Sequence, residues 1–356
     1  MLRTPGGEHF HSLQWLSCAV FTAAAALFVL APGFDLGCGS VYIRPPNPPQ
    51  QAVNLLYDDD CDADIDCAIT QPILNHWIDL GYAKVWGMVS SGHSRLGAPT
   101  LRVFRDYYGH TSMFPVGAWT PGCEANPSAP WNLAVVNRFD PGDTCAAYAN
   151  CVAVLRQSVE RYVASGGSEH GLRYVITGPL SCEEAFRISP PDTISTMSGI
   201  QMEQLYISQF VLMNGVVLSG GETNCEADAP ACASFFANVT AGNGYPPVYV
   251  VSRNTGAADV ITHVPVSTLP QSNPTACAFA SQGTTSGMDE DSMAVEYAIY
   301  GGTGWTASTD STNTAQATTG VNTWNVKKPS GHYYLGVPDD QEMFEGLLSN
   351  PWLPPS

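Results

Sequence analysis

The chain has 356 residues, 44% of them hydrophobic, enough to bury one large core or two smaller ones. Its 32 acidic and 14 basic residues leave a formal charge of −18, which excludes the phosphate-neutralising chemistry of a nucleic-acid binder. Only 13% of residues are charged, and this acidic, charge-poor composition suits a secreted or periplasmic protein better than a cytosolic one.

Arg3 precedes "LSCAVFTAAAALFVLAP", an uncharged apolar run from Leu16 to Pro32. The run is slightly short for a membrane span and a good length for a signal-peptide core, so residues 1–38 are expected to be an export signal. Cys38 after Gly37 offers a lipidation site, although Asp35 occupies a place that normally takes a Leu-like residue. Cleavage, a lipid anchor at Cys38 and a retained anchor all remain open. "RPPNPPQQ" (Arg44 to Gln51) falls in residues 39–52 and reads as a stiff polyproline linker. A folded domain is expected over 53–351.

From Val53 onward strand-like and helix-like segments alternate. "VNLLY" is a buried-type strand, and Ile69, Ile73, Leu74, Trp77 and Ile78 then share one helical face. "AKVWGMVSS" predicts a strand, and "APTLRVFRDYYG" an amphipathic helix closed by Gly109. "CAAYANCVAVLRQSVERYVAS" predicts a helix, followed by buried strands in "LRYVITGPL", "QFVLMNGVVLSGG" and "PPVYVVSRN". Strands spaced by helices indicate a single α/β domain with a mostly parallel, open central sheet flanked by helices. Ligands in such folds bind at the carboxyl ends of strands.

Eleven cysteines fit an oxidising compartment. Local pairs Cys145–Cys151 and Cys225–Cys232 are plausible, and Cys67 has Cys61 or Cys182 as a possible partner. The nine cysteines after Cys38 leave at least one unpaired.

The stretch "NLLYDDDCDADIDCAITQPIL" sets an Asp at every second position from Asp58 to Asp66, with Asp59 extra. Most charge runs are solvated loops. This one directly follows a buried-type strand and directly precedes a helical pattern. Like charges so close repel unless something neutralises them, and a hard divalent cation does so well. An EF-hand is excluded, because its required Gly and Glu fall on Ile65 and Gln71 counting from Asp60, and on Cys67 and Ile73 counting from Asp62. All-oxygen ligands favour calcium or magnesium.

The row Asp58, Asp60, Asp62, Asp64, Asp66, Cys67, Ala68 resembles the first motif of the inosine-uridine nucleoside hydrolase superfamily, nearest to its divergent bacterial branch. Further stretches follow in that family's order. "VSSGHSRLGAPTLRVFRDYYG", "VITGPLSC", "LMNGVVLSGGETNCEADAPAC" and "MDEDSMAVEYAIYG" are similar to its later motifs, and "NTWNVKKPSGHYYLG" to its C-terminal hairpin. The resemblance implies a calcium-dependent hydrolase of N-glycosidic bonds in ribonucleosides or related ribosyl compounds. It makes Asp60, Thr177 (through its carbonyl) and Asp291 calcium ligands and Asp66 the general base. Asp64 is the alternative base, with Asp66 then a ligand. Glu222, Asn224 and His93 would hold the ribose. Without the resemblance, Asp291 is an N-cap, Glu222 and Asn224 are loop polars, and His93 is a surface or hydrogen-bonded loop histidine.

The sequence also departs from that pattern. Cys67 stands where the family has a ligand Asp, and a soft sulfur suits calcium poorly. Pro72 falls inside the following helix, where it costs about 3 kcal/mol. Ser181-Cys182 replaces Thr-Asn, and Glu290 stands where several members have His. A degenerate, weak or inactive binding protein is the alternative that these changes imply.

Overall fold

The computed structural model describes residues 48–61, 64–121, 123, 128–217, 219–252, 254, 261–302, 305–336 and 352. The expected export signal and most of the linker lie outside the described residues, as does the end of the expected domain. Among the described residues no helix is long and apolar enough to cross a membrane.

In chain order the elements begin with β1 (Val53–Asp59), α1 (Cys67–Asp79), β2 (Ala83–Ser90), α2 (Gly97–Tyr107), β3 (Val116–Ala118), α3 (Pro130–Phe139) and β4 (Ala149–Asn150). They continue with α4 (Cys151–Ala164), β5 (Leu172–Ile176), α5 (Ser181–Arg187), α6 (Gly199–Tyr206), β6 (Ile207–Met213), β7 (Ser219–Gly220), α7 (Thr223–Ala227) and α8 (Ala229–Asn238). The last group is β8 (Val248–Val251), β9 (Ile261–His263), α9 (Pro274–Gln282), β10 (Ser286–Met288), α10 (Glu290–Tyr300), β11 (Thr306–Ala307), β12 (Thr312–Ala315), β13 (Asn322–Asn325) and β14 (His332–Gly336).

Nine strands form one sheet in the order β11-β14-β8-β6-β5-β1-β2-β3-β4. Its pairings are parallel except at one edge, where β11 meets β14 antiparallel. The expected mostly parallel α/β sheet is present. The chain runs outward from β1 through β2, β3 and β4, then returns to the other side of β1 at β5. That reversal opens a crevice at the carboxyl ends of β1 and β5, the place where open α/β sheets bind ligands.

β1 lies inside the sheet between β5 and β2 and is covered on both faces, which is why it reads as a continuous apolar run. Side chains alternate along it: Leu55 and Tyr57 pack with α1, α2, α3, α9 and α10, while Leu56 packs with α4, α5, α6 and α8. The alternation carries on into Asp58 and Asp59, the last two residues of the strand. Both carboxylates are therefore fully buried.

Several local expectations change. The run 209–221 is not one strand: Gly215, at φ +71°, turns the chain out of the sheet after Met213, and Ser219–Gly220 joins β12 and β13 in a separate sheet. The helix expected from Cys145 begins only at Cys151, after a 3₁₀ turn and β4. β13 and β14 do not form a hairpin, because β13 pairs with β12 and β7 whereas β14 runs parallel to β8 in the main sheet. α1 continues through Pro72, and the buried Ile73, Leu74 and Trp77 on its core face offset the hydrogen bond lost there. Gly109, at φ +80°, follows α2 as expected.

Among the described residues four disulfides are present: Cys61–Cys67, Cys123–Cys145, Cys151–Cys182 and Cys225–Cys232. The Cys225–Cys232 expectation holds, and Cys67 takes Cys61 of its two candidate partners. The Cys145–Cys151 pairing is wrong, because β4 carries Cys151 to the start of α4, where Cys182 on α5 meets it. Cys277 is free. This disulfide content fits an oxidising compartment.

Candidate functional site

Asp58 and Asp59 anchor the end of β1. The Ser91 N–H donates to Asp58 Oδ1 at 3.0 Å, and the Thr177 N–H donates to the Asp58 carbonyl at 2.8 Å. Asp59 accepts from the Tyr57 hydroxyl (2.8 Å), the Gln71 side-chain amide (2.9 Å) and the Cys61 N–H (2.9 Å). Burial pushes its carboxyl up to about 6, and those donors hold it from rising further.

Asp60 follows in a tight clasp. A Cβ added at Gly92 or Gly97 would meet the Asp60 carbonyl at 2.5 or 2.6 Å, and one at Gly178 would meet its backbone nitrogen at 2.8 Å. Only glycine permits this approach, which explains the "SSGHSRLG" and "TGP" turns around the site. Asp66 then caps α1, with Oδ1 accepting the Cys67 N–H at 2.8 Å. The Thr70 hydroxyl bonds the Asp66 carbonyl (3.1 Å) and lies 3.0 Å from Ser292 Oγ, tying α1 to the start of α10. Asp291 sits in that first turn, and Asp289, not Asp291, precedes the helix.

These elements close on one pocket at the switch point. The acidic loop contributes Asp60, Asp64 and Asp66, and β5 and β6 lead into Thr177 and Met213. Glu222, Thr223 and Asn224 line it from α7 and its cap, and Glu290 and Asp291 from α10. Its free volume is about 20 Å³, room for one particle of water size. Burial raises the Asp66 carboxyl well above the usual range, and the charges of Asp291 and Asp64 raise it further. Asp291 is raised in the same way, by burial and then by Asp59 and Asp64. Among the described residues, none that lines the pocket carries a positive charge.

Asn224 and Glu222 have defined orientations. Asn224 Nδ2 donates to the carbonyls of Thr177 (3.2 Å) and Met213 (3.1 Å), so its amide nitrogen faces the strand ends. Glu222 Oε1 accepts the Asn224 N–H, and Oε2 accepts those of Gly215 and Cys225. Burial lifts Glu222 to about 7 despite these three donors.

His93 stands apart from the lining residues. Its Nε2 is 3.2 Å from Ser181 Oγ, which donates to Asp228 Oδ2 at 2.7 Å. Of the residues singled out in the sequence, Asp60, Asp64, Asp66, Thr177, Glu222, Asn224 and Asp291 come together and His93 does not. Met213 and Thr223 were not singled out, since an apolar residue and a helix-start Thr carry no signal of their own. Cys67 is no ligand. It lies with Asp59 and Cys61 in a group whose ligand atoms are within 4.8 Å of one another, but the two sulfurs are bonded to each other.

The donor set fits a hard cation. Its oxygen groups are carboxylates and the Thr177 carbonyl, the Asn224 amide nitrogen is taken up by two carbonyls, and no lining residue among the described ones brings a counter-charge.

Sheet order and helix placement define a nucleoside hydrolase-like fold. A plant nucleoside hydrolase, PpNRh1, is similar with a TM-score of 0.60 at 16% identity, over 85% of this chain and 99% of that one. A purine-preferring ribonucleoside hydrolase from Gardnerella vaginalis has a TM-score of 0.60 at 15% identity, over 84% and 98%. The type III effector protein XopQ, complexed with adenosine diphosphate ribose, has 0.55 at 13% identity, over 86% and 93%. By sequence, no family model and no curated protein matches.

Proposed function

We propose that the protein is a calcium-dependent hydrolase of N-glycosidic bonds in ribonucleosides or related ribosyl compounds. The observation that carries this reading is the convergence of Asp60, Asp64, Asp66, Asp291 and the Thr177 residue at the crevice between β1 and β5. Asp60, Asp66, Asp291 and the Thr177 carbonyl would hold the ion. When bound, calcium supplies a positive charge that orients ribose hydroxyls and acidifies a water.

The protein's own groups do the rest. Asp66 takes the proton of the attacking water, with Asp64 beside it on the pocket wall. The surrounding carboxylates favour the positive charge that develops on the sugar as the base leaves. Asn224, with its nitrogen held by the Thr177 and Met213 carbonyls, offers its side-chain oxygen to a ribose hydroxyl. Glu222 holds the Gly215 turn and the start of α7 in place and presents its carboxyl at the pocket wall. Nucleosides and ribosyl diphosphates fall within one class here, and the likeness to a structure holding adenosine diphosphate ribose supports the wider reading.

The disulfide at Cys67 favours a second reading, a ribosyl-binding protein without turnover, because it removes one carboxylate expected of the active family pattern. Sugar release from nucleosides and from adenosine diphosphate ribose, measured with calcium and with a chelator, separates the two. Asp66→Asn should lower turnover about 10²–10⁴-fold. Calcium and ribose binding without turnover by the parent selects the second reading. Binding of neither overturns both.

A further inference from the structure

We propose that the Cys61–Cys67 disulfide is the positioning device of the acidic pocket: it preorganises the carboxylates for the cation and takes the place of the ligand missing at residue 67. This rests on the calcium reading above and adds to it the cause of affinity. The bond closes a loop of sequence separation 6 that carries Asp64 and Asp66, with Asp60 directly before it.

Both ends of the bond are tied to the acidic groups. Asp59 accepts the Cys61 N–H at 2.9 Å, and Asp66 accepts the Cys67 N–H at 2.8 Å. The Asn132 side-chain amide donates to the Cys61 carbonyl at 3.0 Å. Cys61 holds φ at +43°, a region that non-glycine residues rarely adopt and that persists only where the surroundings impose it. Both cysteines are fully buried. Carboxylates at 60, 64, 66 and 291 repel one another before any cation arrives, and an open loop would relax by swinging Asp64 and Asp66 outward. A covalent clamp at the loop's base prevents that, so less ordering has to occur on binding.

The test is calorimetric calcium binding to the full chain and to the Cys61→Ser/Cys67→Ser double variant, with Cys123→Ser/Cys145→Ser as control. The proposal expects calcium affinity to fall about tenfold or more in the first variant. It expects no change in the control, even where both variants melt at lower temperature. Equal affinity in parent and first variant overturns the proposal and leaves the calcium reading standing. A parent that binds no calcium overturns both.

Should the double variant not fold, linkage gives the same answer in the parent. A dithiol reductant donates two electrons and two protons to the disulfide, giving two thiols, and becomes a cyclic disulfide itself. Calcium must then protect Cys61–Cys67 from reduction, by the factor that the disulfide adds to calcium affinity. Thiol labelling after equilibration in a dithiol redox buffer, read by mass spectrometry, should show less reduced Cys61 and Cys67 with calcium than with chelator, and no such difference at Cys123 and Cys145. No calcium dependence at Cys61 and Cys67 overturns the proposal.

Discussion

Asn224 shows how one side chain sets the geometry of a whole pocket edge. Its amide nitrogen joins the carbonyls of Thr177 and Met213, the residues at the ends of β5 and β6, and both of its partners are acceptors. Asn224→Asp would put a carboxylate oxygen against those two carbonyls, inside a buried site already crowded with acids. The expected loss is about 1–3 kcal/mol of stability, more if the new carboxyl ionises. Urea unfolding at pH 7 and pH 5 measures it, with the smaller loss at pH 5, where a protonated Asp can donate again. The resemblance of "LMNGVVLSGGETNCEADAPAC" to a family motif made Asn224 a candidate from the sequence. Which way its amide points depended on two carbonyls brought from elsewhere in the chain.

Between α5 and α6 lies a second acidic feature with no link to metal binding. Glu183 and Glu203 are fully buried and face each other within hydrogen-bond reach, and among the described residues no other group donates to their four carboxyl oxygens. Burial drives both carboxyls well above the ordinary value of 4.5. Tyr174 on β5, Glu184 and Arg187 on α5, and Tyr245 also face the pair. A carboxyl raised in the folded state binds more protons there than in the unfolded chain. Its contribution is present in full below the unfolded value and is lost as pH rises through the folded one. Thermal stability should therefore fall as pH rises above 4.5. Glu203→Gln, which supplies an amide donor to Glu183, should flatten that fall and raise the melting temperature at neutral pH. Melting curves across that range check both expectations; a variant with the parent's slope would refute the assignment to this pair.

At the scale of the molecule, the chain carries a formal charge of −18 and gathers Asp60, Asp64, Asp66, Glu222, Glu290 and Asp291 at one crevice that no described residue lines with a cation. A ligand that binds only the folded state stabilises it by about 2.7 kcal/mol at a concentration 100 times its dissociation constant. Calcium should thus raise the melting temperature by a few degrees, and chelation should reverse the rise. Asp291→Asn should remove most of the calcium-dependent part while leaving the melting temperature in chelator equal or higher, since one repelling charge is gone. Scanning calorimetry at constant ionic strength checks this. A rise of the same size with sodium alone would assign it to screening.

What the sequence determined by itself was local or periodic. The apolar runs marked the central strands, because strands covered on both faces need no polar side. The row of aspartates after "VNLLY" marked the mouth of the sheet. Only the tertiary structure decided which distant residues meet. It brought Asp291 to Asp66 by tying α10 to α1, joined Cys151 to Cys182 across two helices, and bent the chain away from the sheet at Gly215. It also set His93 against Ser181, outside the pocket. The physical reason is that propensity and alternation act over a few residues, whereas sheet order, disulfide pairing and burial of opposed charges are settled by packing between segments far apart in the chain.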